Sequence, residues 1–180
     1  KLAPLQVVIV PILFDDSKKK VLQAAAEIKD KLETKGFSVY LDSRDNCSPG
    51  WKFNEWEVKG VPLRIEIGPK DLEKKSALMV RIDTLEKKQY KLSEIVKTVT
   101  TSLDDMQQSL LEKAEKNLKS HIVKVSAYNE AEKAIEKGNF VYGPWCAEQK
   151  CEEQIKEKMG VKSLNSPLQQ LKITGNCFAC

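Results

Sequence analysis

Four of the five cysteines fall in the last 35 residues, as Cys146-x4-Cys151 and Cys177-x2-Cys180, with 25 residues between the pairs. Two close pairs far apart in sequence are the spacing of a tetrahedral zinc site, because each short loop brings two thiolates to one side of the metal. Disulfides and free thiols are the alternatives; the lack of a secretory leader pattern in the residues present favours the metal. Four protein ligands leave no open coordination position, so the zinc would be structural. Cys47 stands apart in a polar loop and reads as a plain thiol.

The second concentration of chemistry is Asp42 to Asp71. It contains a basic and aromatic loop, a short helical segment carrying Glu57, an apolar strand carrying Arg64 and Glu66, and a turn ending at Asp71. In a strand, Leu63, Ile65 and Ile67 share one face and Arg64 and Glu66 the other. Charges in so apolar a strand need a partner, which is either each other or a ligand. Gly68-Pro69 ends the strand and leaves Asp71 near its carboxyl end, where ligands collect in open α/β sheets. An internal ion-pair set of Arg64, Glu66 and Asp71 is the plainer alternative. Trp51, Phe53 and Trp56 invite base stacking, but their spacing suits core anchors for at least two of them. The single histidine, His121, follows a helical pattern, where it packs or caps; no nucleophile–base pair accompanies it.

The elements that must position these groups follow from apolar periodicity. Residues 5–12 form a dense β-branched run, a buried strand. Asp15, Asp16 and Ser17 offer N-caps to a helix whose stripe is Leu22, Ala25, Ala26, Ile28 and Leu32, ending at Gly36. Further strands are expected at 37–41, 61–67 and 77–82, with 87–91 pairing with the last, and a short helix at 51–59. This order predicts an α/β domain with a mostly parallel five-stranded sheet and flanking helices. From Leu92 to Leu118 one long amphipathic helix is expected, either a connector between units or an ordinary packing helix. A strand at 121–126, a helix at 129–137 and a strand at 139–142 then lead to the cysteines. The expected division is an N-terminal domain over 1–115 and a small α+β zinc-binding domain over 116–180.

The chain has 180 residues, 41% hydrophobic and 31% charged, a globular composition with enough apolar side chains for a core. Thirty basic against 26 acidic residues give a net charge of +4, which permits an RNA partner without demanding one. No stretch is apolar enough to span a bilayer, so no membrane partner is expected. The opening at Lys1 runs abruptly into a strand, and the protein is expected to continue upstream.

Gly50-Trp51-Lys52-Phe53-Asn54-x-Trp56-Glu57, leading into Lys59-Gly60-Val61-Pro62-Leu63-Arg64-Ile65-Glu66-Ile67-Gly68-Pro69-x-Asp71, resembles the anticodon-binding domain of class II aminoacyl-tRNA synthetases, specifically the prolyl-tRNA synthetases. Leu2 to Pro11 resembles that family's first strand, Val80 to Lys87 its hairpin, and the four-cysteine tail the zinc-binding C-terminal domain of its archaeal/eukaryotic branch. The resemblance implies the tRNA-binding part of a proline–tRNA ligase. Glu57, Arg64, Asp71 and Lys87 match the family's readers of the two anticodon guanines. A carboxylate can accept from guanine's two Watson–Crick donors, and a cation can serve O6 or N7. Leu85 stands where the family has Gly, and Ile82 where it has a second Arg. The resemblance further implies a catalytic domain using ATP and Mg, whose class II motifs are not in these 180 residues, a homodimeric parent, a cytoplasmic location, and a short segment beyond the last cysteine pair. A reading from a different class is a free-standing zinc-stabilised protein-interaction module without tRNA specificity.

Overall fold

The computed structural model describes residues 3–169 and 175–180. Lys1 and Leu2, which the sequence patterns touch, lie outside that range. The chain divides into two compact units, Lys1–Ser109 and Leu110–Cys180.

In the first unit, strand β1 (Val7–Pro11) is an interior strand and wholly buried. Helix α1 (Lys18–Thr34) follows and buries Val21, Ala25, Ile28 and Leu32 against the sheet. Its true stripe therefore starts at Val21, with Leu22 half-buried beside it. Ser17 sits at the helix start, but its hydroxyl donates back to the Phe14 carbonyl and caps no helical N–H. Strand β2 (Val39–Leu41) pairs parallel with β1. Helix α2 (Pro49–Val58) begins two residues earlier than the pattern suggests. Ser48 is its N-cap, accepting from the Trp51 N–H, and Pro49 occupies the first helical position, where its missing N–H costs nothing. Strand β3 (Leu63–Ile67) is buried throughout and pairs parallel with β1.

The remaining strands overturn the mostly parallel sheet. After the short helix α3 (Pro69–Glu73), strand β4 (Ser76–Arg81) runs antiparallel to β3, and strand β5 (Lys87–Lys91) antiparallel to β4. The order β2-β1-β3-β4-β5 is a mixed sheet. The reason is connection length. A parallel crossover needs a dozen or more residues, whereas β3 and β4 are separated by residues 68–75 alone, the short helix α3 and one turn. Helix α4 (Ile95–His121) covers the same face as α1 through Ile95, Val99 and Met106. Beyond Met106 the apolar positions Leu110, Leu111 and Leu118 are exposed.

The sheet thus has two different faces. One, with Val7, Ile9, Leu63, Ile65, Ile67, Ala77 and Met79, packs on α1 and α4 as the main core. The other, with Val8 and Val10, packs on Trp56 and Phe53 of α2 as a smaller cluster. Arg64 and Glu66 lie on this second face, opposite Val8 and Val10 in the register.

In the second unit, strands β6 (Ile122–Lys124) and β7 (Phe140–Tyr142) pair in parallel across helix α5 (Tyr128–Glu136). Helix α6 (Gln149–Met159) was not evident from the pattern. It places Cys151 in a first helical turn. The cluster around it holds three buried residues, Cys151, Ile155 and Ala179. So small a core is the kind that a metal commonly staples.

Candidate nucleic-acid interface and metal centre

Arg64 is 2% exposed, inside the α2-covered face of the sheet. Its Nε donates to Glu66 at 2.9 Å and its Nη1 to Glu57 of α2 at 2.5 Å. Nη1 also reaches the Phe53 carbonyl at 3.4 Å, and the guanidinium lies 4.2 Å from the Phe53 ring centroid. The expected pairing of Arg64 with Glu66 is therefore real, and Glu57 joins it. Glu57 keeps about a third of its side chain exposed, so the ion pair borders solvent. Among the described residues Nη2 makes no hydrogen bond. Asp71 takes no part in this set. Its Oδ2 accepts from the Gly68 N–H at 2.9 Å and its Oδ1 from the Gln89 side chain at 3.1 Å.

The antiparallel strands extend the same face. Arg64 is paired with Val80 and Val80 with Lys87; Glu66 is paired with Leu78 and Leu78 with Gln89. Directly opposed residues share a sheet face. Arg64, Lys87 and Gln89 therefore stand on one surface, with Glu57 joined to it through Arg64 and Asp71 through Gln89. Lys87 is exposed. Gln89 also donates to Ser76 Oγ at 2.9 Å, which fixes its amide beside Asp71.

A second polar network holds the loop before α2. Asp42 has no exposed surface, and it accepts from Arg44 Nε at 2.8 Å, Arg44 Nη2 at 2.7 Å and Trp56 Nε1 at 2.8 Å. Arg44 Nη2 also donates to Glu55 at 2.6 Å. The buried Lys52 ammonium donates to the carbonyls of Asp42 and Arg44. Burial pushes the Asp42 carboxyl upward, but the Arg44 and Trp56 hydrogen bonds and the Lys52 charge outweigh it. They hold the group at about 2, below its ordinary 3.8. Of the three aromatics, Trp56 is buried and Phe53 partly so, whereas Trp51 stays 53% exposed.

In the second unit the sulfurs of Cys146, Cys151, Cys177 and Cys180 lie within 4.8 Å of one another. A tetrahedron of sulfurs about 2.3 Å from zinc has edges of about 3.8 Å, so the four thiols fit such an ion. All are free, and Cys146 and Cys151 are 3.3 Å apart, well beyond a disulfide bond of about 2.05 Å. The backbone brings the pairs together. Phe178 N–H donates to the Pro144 carbonyl at 2.9 Å, setting the second cysteine loop beside Cys146. Gly143 permits this approach: a Cβ there would lie 2.8 Å from the Val125 carbonyl oxygen. Burial raises the Cys177 thiol, but the N–H groups of Ala179, Cys146 and Cys180 pull it to about 6, which favours a thiolate. Hydrogen bonding with Cys146 and Cys180 pushes Cys151 up.

Residues 6–102 match the family model described as the anticodon binding domain. The chain belongs to the anticodon-binding domain family. Residues 128–180 match a second family model, that of the C-terminal domain of prolyl-tRNA synthetase. The chain is 44% identical to a proline–tRNA ligase of Alkaliphilus oremlandii over 99% of its own length and 37% of the relative's. It is 44% identical to the chloroplastic/mitochondrial proline–tRNA ligase of Arabidopsis thaliana, over 99% and 34%. It is 42% identical to a proline–tRNA ligase of Pyrococcus abyssi, over 95% and 36%. The chain thus spans about a third of the length of the curated relatives it matches.

Within this anticodon-binding domain, Gln89, Asp42 and Arg44 are the residues that motif and composition did not single out. Gln89 is an ordinary polar residue in an exposed strand, and only the register places it beside Asp71. Asp42 and Arg44 sit in a loop whose polarity looks like simple solvent exposure. His121 ends α4, with Nδ1 2.7 Å from the Asn117 carbonyl, as its expected capping place suggests.

Proposed function

We propose that the chain is the tRNA-reading part of a proline–tRNA ligase, with Glu57, Arg64, Asp71 and Lys87 recognising the two anticodon guanines. The observation that supports it best is Arg64, a guanidinium buried in β3 yet tethered to a Glu57 that keeps about a third of its side chain exposed. Such a pair offers a carboxylate for the N1–H and N2–H donors of a guanine and a cation for its acceptor edge. The sheet face then supplies a second carboxylate, Asp71, and a second cation, Lys87, for a second splayed base. The residues divide as an anticodon-binding domain over 1–115 and a zinc-binding domain over 116–180. Zinc sits on Cys146, Cys151, Cys177 and Cys180 and stabilises the tail without taking part in chemistry. Proline, ATP and Mg belong to a catalytic domain of the parent enzyme, which is homodimeric and cytoplasmic.

The test compares two RNA hairpins, one with the proline anticodon loop and one with both guanines replaced by adenines. Glu57→Gln and Arg64→Ala should each reduce the preference for the first by about 1–3 kcal/mol, the usual worth of a base-edge contact. Equal losses toward both hairpins, or none, would make Glu57 and Arg64 a purely structural pair.

A further inference from the structure

Trp51 is an exposed indole with an unusual setting. Arg44 lies over its ring at 5.3 Å from the centroid. That guanidinium is tied to Asp42 by two hydrogen bonds and to Glu55 by a third. The Trp51 backbone N–H is itself fixed by the Ser48 cap. The ring is thus supported on one side by an immobilised cation and remains 53% exposed. An indole offers a large flat apolar face with one polar N–H edge, and here the loop that braces it is held by a carboxylate with no surface of its own.

Its position ties it to the interface proposed above. Trp51 and Glu57 are six residues apart on α2, about 9 Å along the helix axis. On a helical wheel Asn54, which is exposed, bridges the two. One or two unstacked nucleotides cover such a span. The ion pairs along this loop and helix are balanced, Arg44, Lys52, Lys59 and Arg64 against Asp42, Glu55, Glu57 and Glu66, so the surface offers a base a stacking face and not a net positive field. Single-stranded RNA is held mainly by stacking its bases on aromatic side chains, which tolerates any base because each has a π-face.

We infer that the open face of Trp51, braced by Arg44, is a stacking platform for an unpaired base of the RNA loop, beside the guanine met by Glu57 and Arg64. This rests on the anticodon reading of that surface. It adds a contact that is blind to base identity: Trp51 contributes affinity, and Glu57 and Arg64 contribute preference.

The test measures binding of the same two hairpins by fluorescence anisotropy. Trp51→Ala should weaken both by about tenfold, leaving their ratio unchanged, and Trp51→Phe should restore most of the loss. Removing the base at one loop position should abolish the difference between wild type and Trp51→Ala, as expected when the two changes delete one contact. If Trp51→Ala binds both hairpins like wild type while Glu57→Gln loses preference, the platform is wrong and the anticodon reading stands. If wild type shows no preference between the hairpins, the anticodon reading fails. In that case a tenfold loss in Trp51→Ala would still keep the platform as a nonspecific contact. An exposed Trp51 that serves a protein partner instead would leave RNA affinity untouched, and that result overturns the inference.

Discussion

Asp42 is the residue on which the loop before α2 depends. It carries no exposed surface and meets three N–H donors from two side chains. Its carboxyl is held at about 2 in the folded chain, below the ordinary 3.8. A depressed folded value means the stabilisation is complete above about pH 4 and is lost as pH falls toward 2. The loss is about 2 kcal/mol. Asp42→Asn removes that acid-sensitive part, and its amide N–H₂ faces donors on one side. We expect it to cost about 2–4 kcal/mol at neutral pH, the range for breaking a buried charged contact. Urea midpoints of wild type and Asp42→Asn at pH 6 and pH 2.5 check both points. The gap between them should shrink by about 2 kcal/mol in acid, and a constant gap would show that Asp42 does not titrate as described. Arg64 makes a different point at this scale. A charge in an apolar strand announced its need for a partner, and the partner turned out to be two carboxylates, one of them on another element.

At the scale of elements, the β4–β5 hairpin bends through Leu85, whose φ of 58° lies in the left-handed region. A leucine there is strained by its Cβ, at a cost of about 1–2 kcal/mol, and glycine is not. Glycine loses more freedom on folding, so the net gain from Leu85→Gly should be about 0.5–1 kcal/mol, read from thermal or urea unfolding. No gain, or a loss, would mean that the 62% exposed Leu85 side chain makes up for the strain through packing. Strand and helix positions in this unit were largely legible because apolar periodicity is strong: β1, α1, β3 and the hairpin stand where the pattern puts them. Strand direction was not legible from periodicity, since a buried strand reads alike in either sense; the shortness of the β3–β4 connection was the usable signal. Helix α6 escaped because its buried residues, Cys151 and Ile155, are only two and one of them is a thiol. The grouping of Arg64, Lys87 and Asp71 was legible only through the family resemblance, because its geometry depends on cross-strand register and on Gln89, and periodicity encodes neither.

At the scale of the whole molecule, the two units differ in what holds them. The first has a continuous core of strands and two helices, and the second rests on a few buried residues around four thiols. Metal removal should therefore be felt unevenly. Metal analysis should return about one zinc per chain, and a strong chelator should raise amide hydrogen exchange across residues 140–180 far more than across residues 1–90. Little metal, or equal exchange in both regions after chelation, would contradict a zinc-built tail.

The first unit's sheet also ends in two edges of unequal risk. On one side β2 is only three residues long. On the other, β5 is a full-length strand, Lys87-Lys88-Gln89-Tyr90-Lys91, pairing with β4 on one side only. An open strand of that length is a template for another chain, and three lysines in five residues make such a neighbour repel itself. Lys87, met above as a candidate contact for RNA, is thereby also a guard against self-association. At this edge, solubility and the proposed RNA contact would both draw on Lys87, and exchanging it for the sake of one would take it from the other.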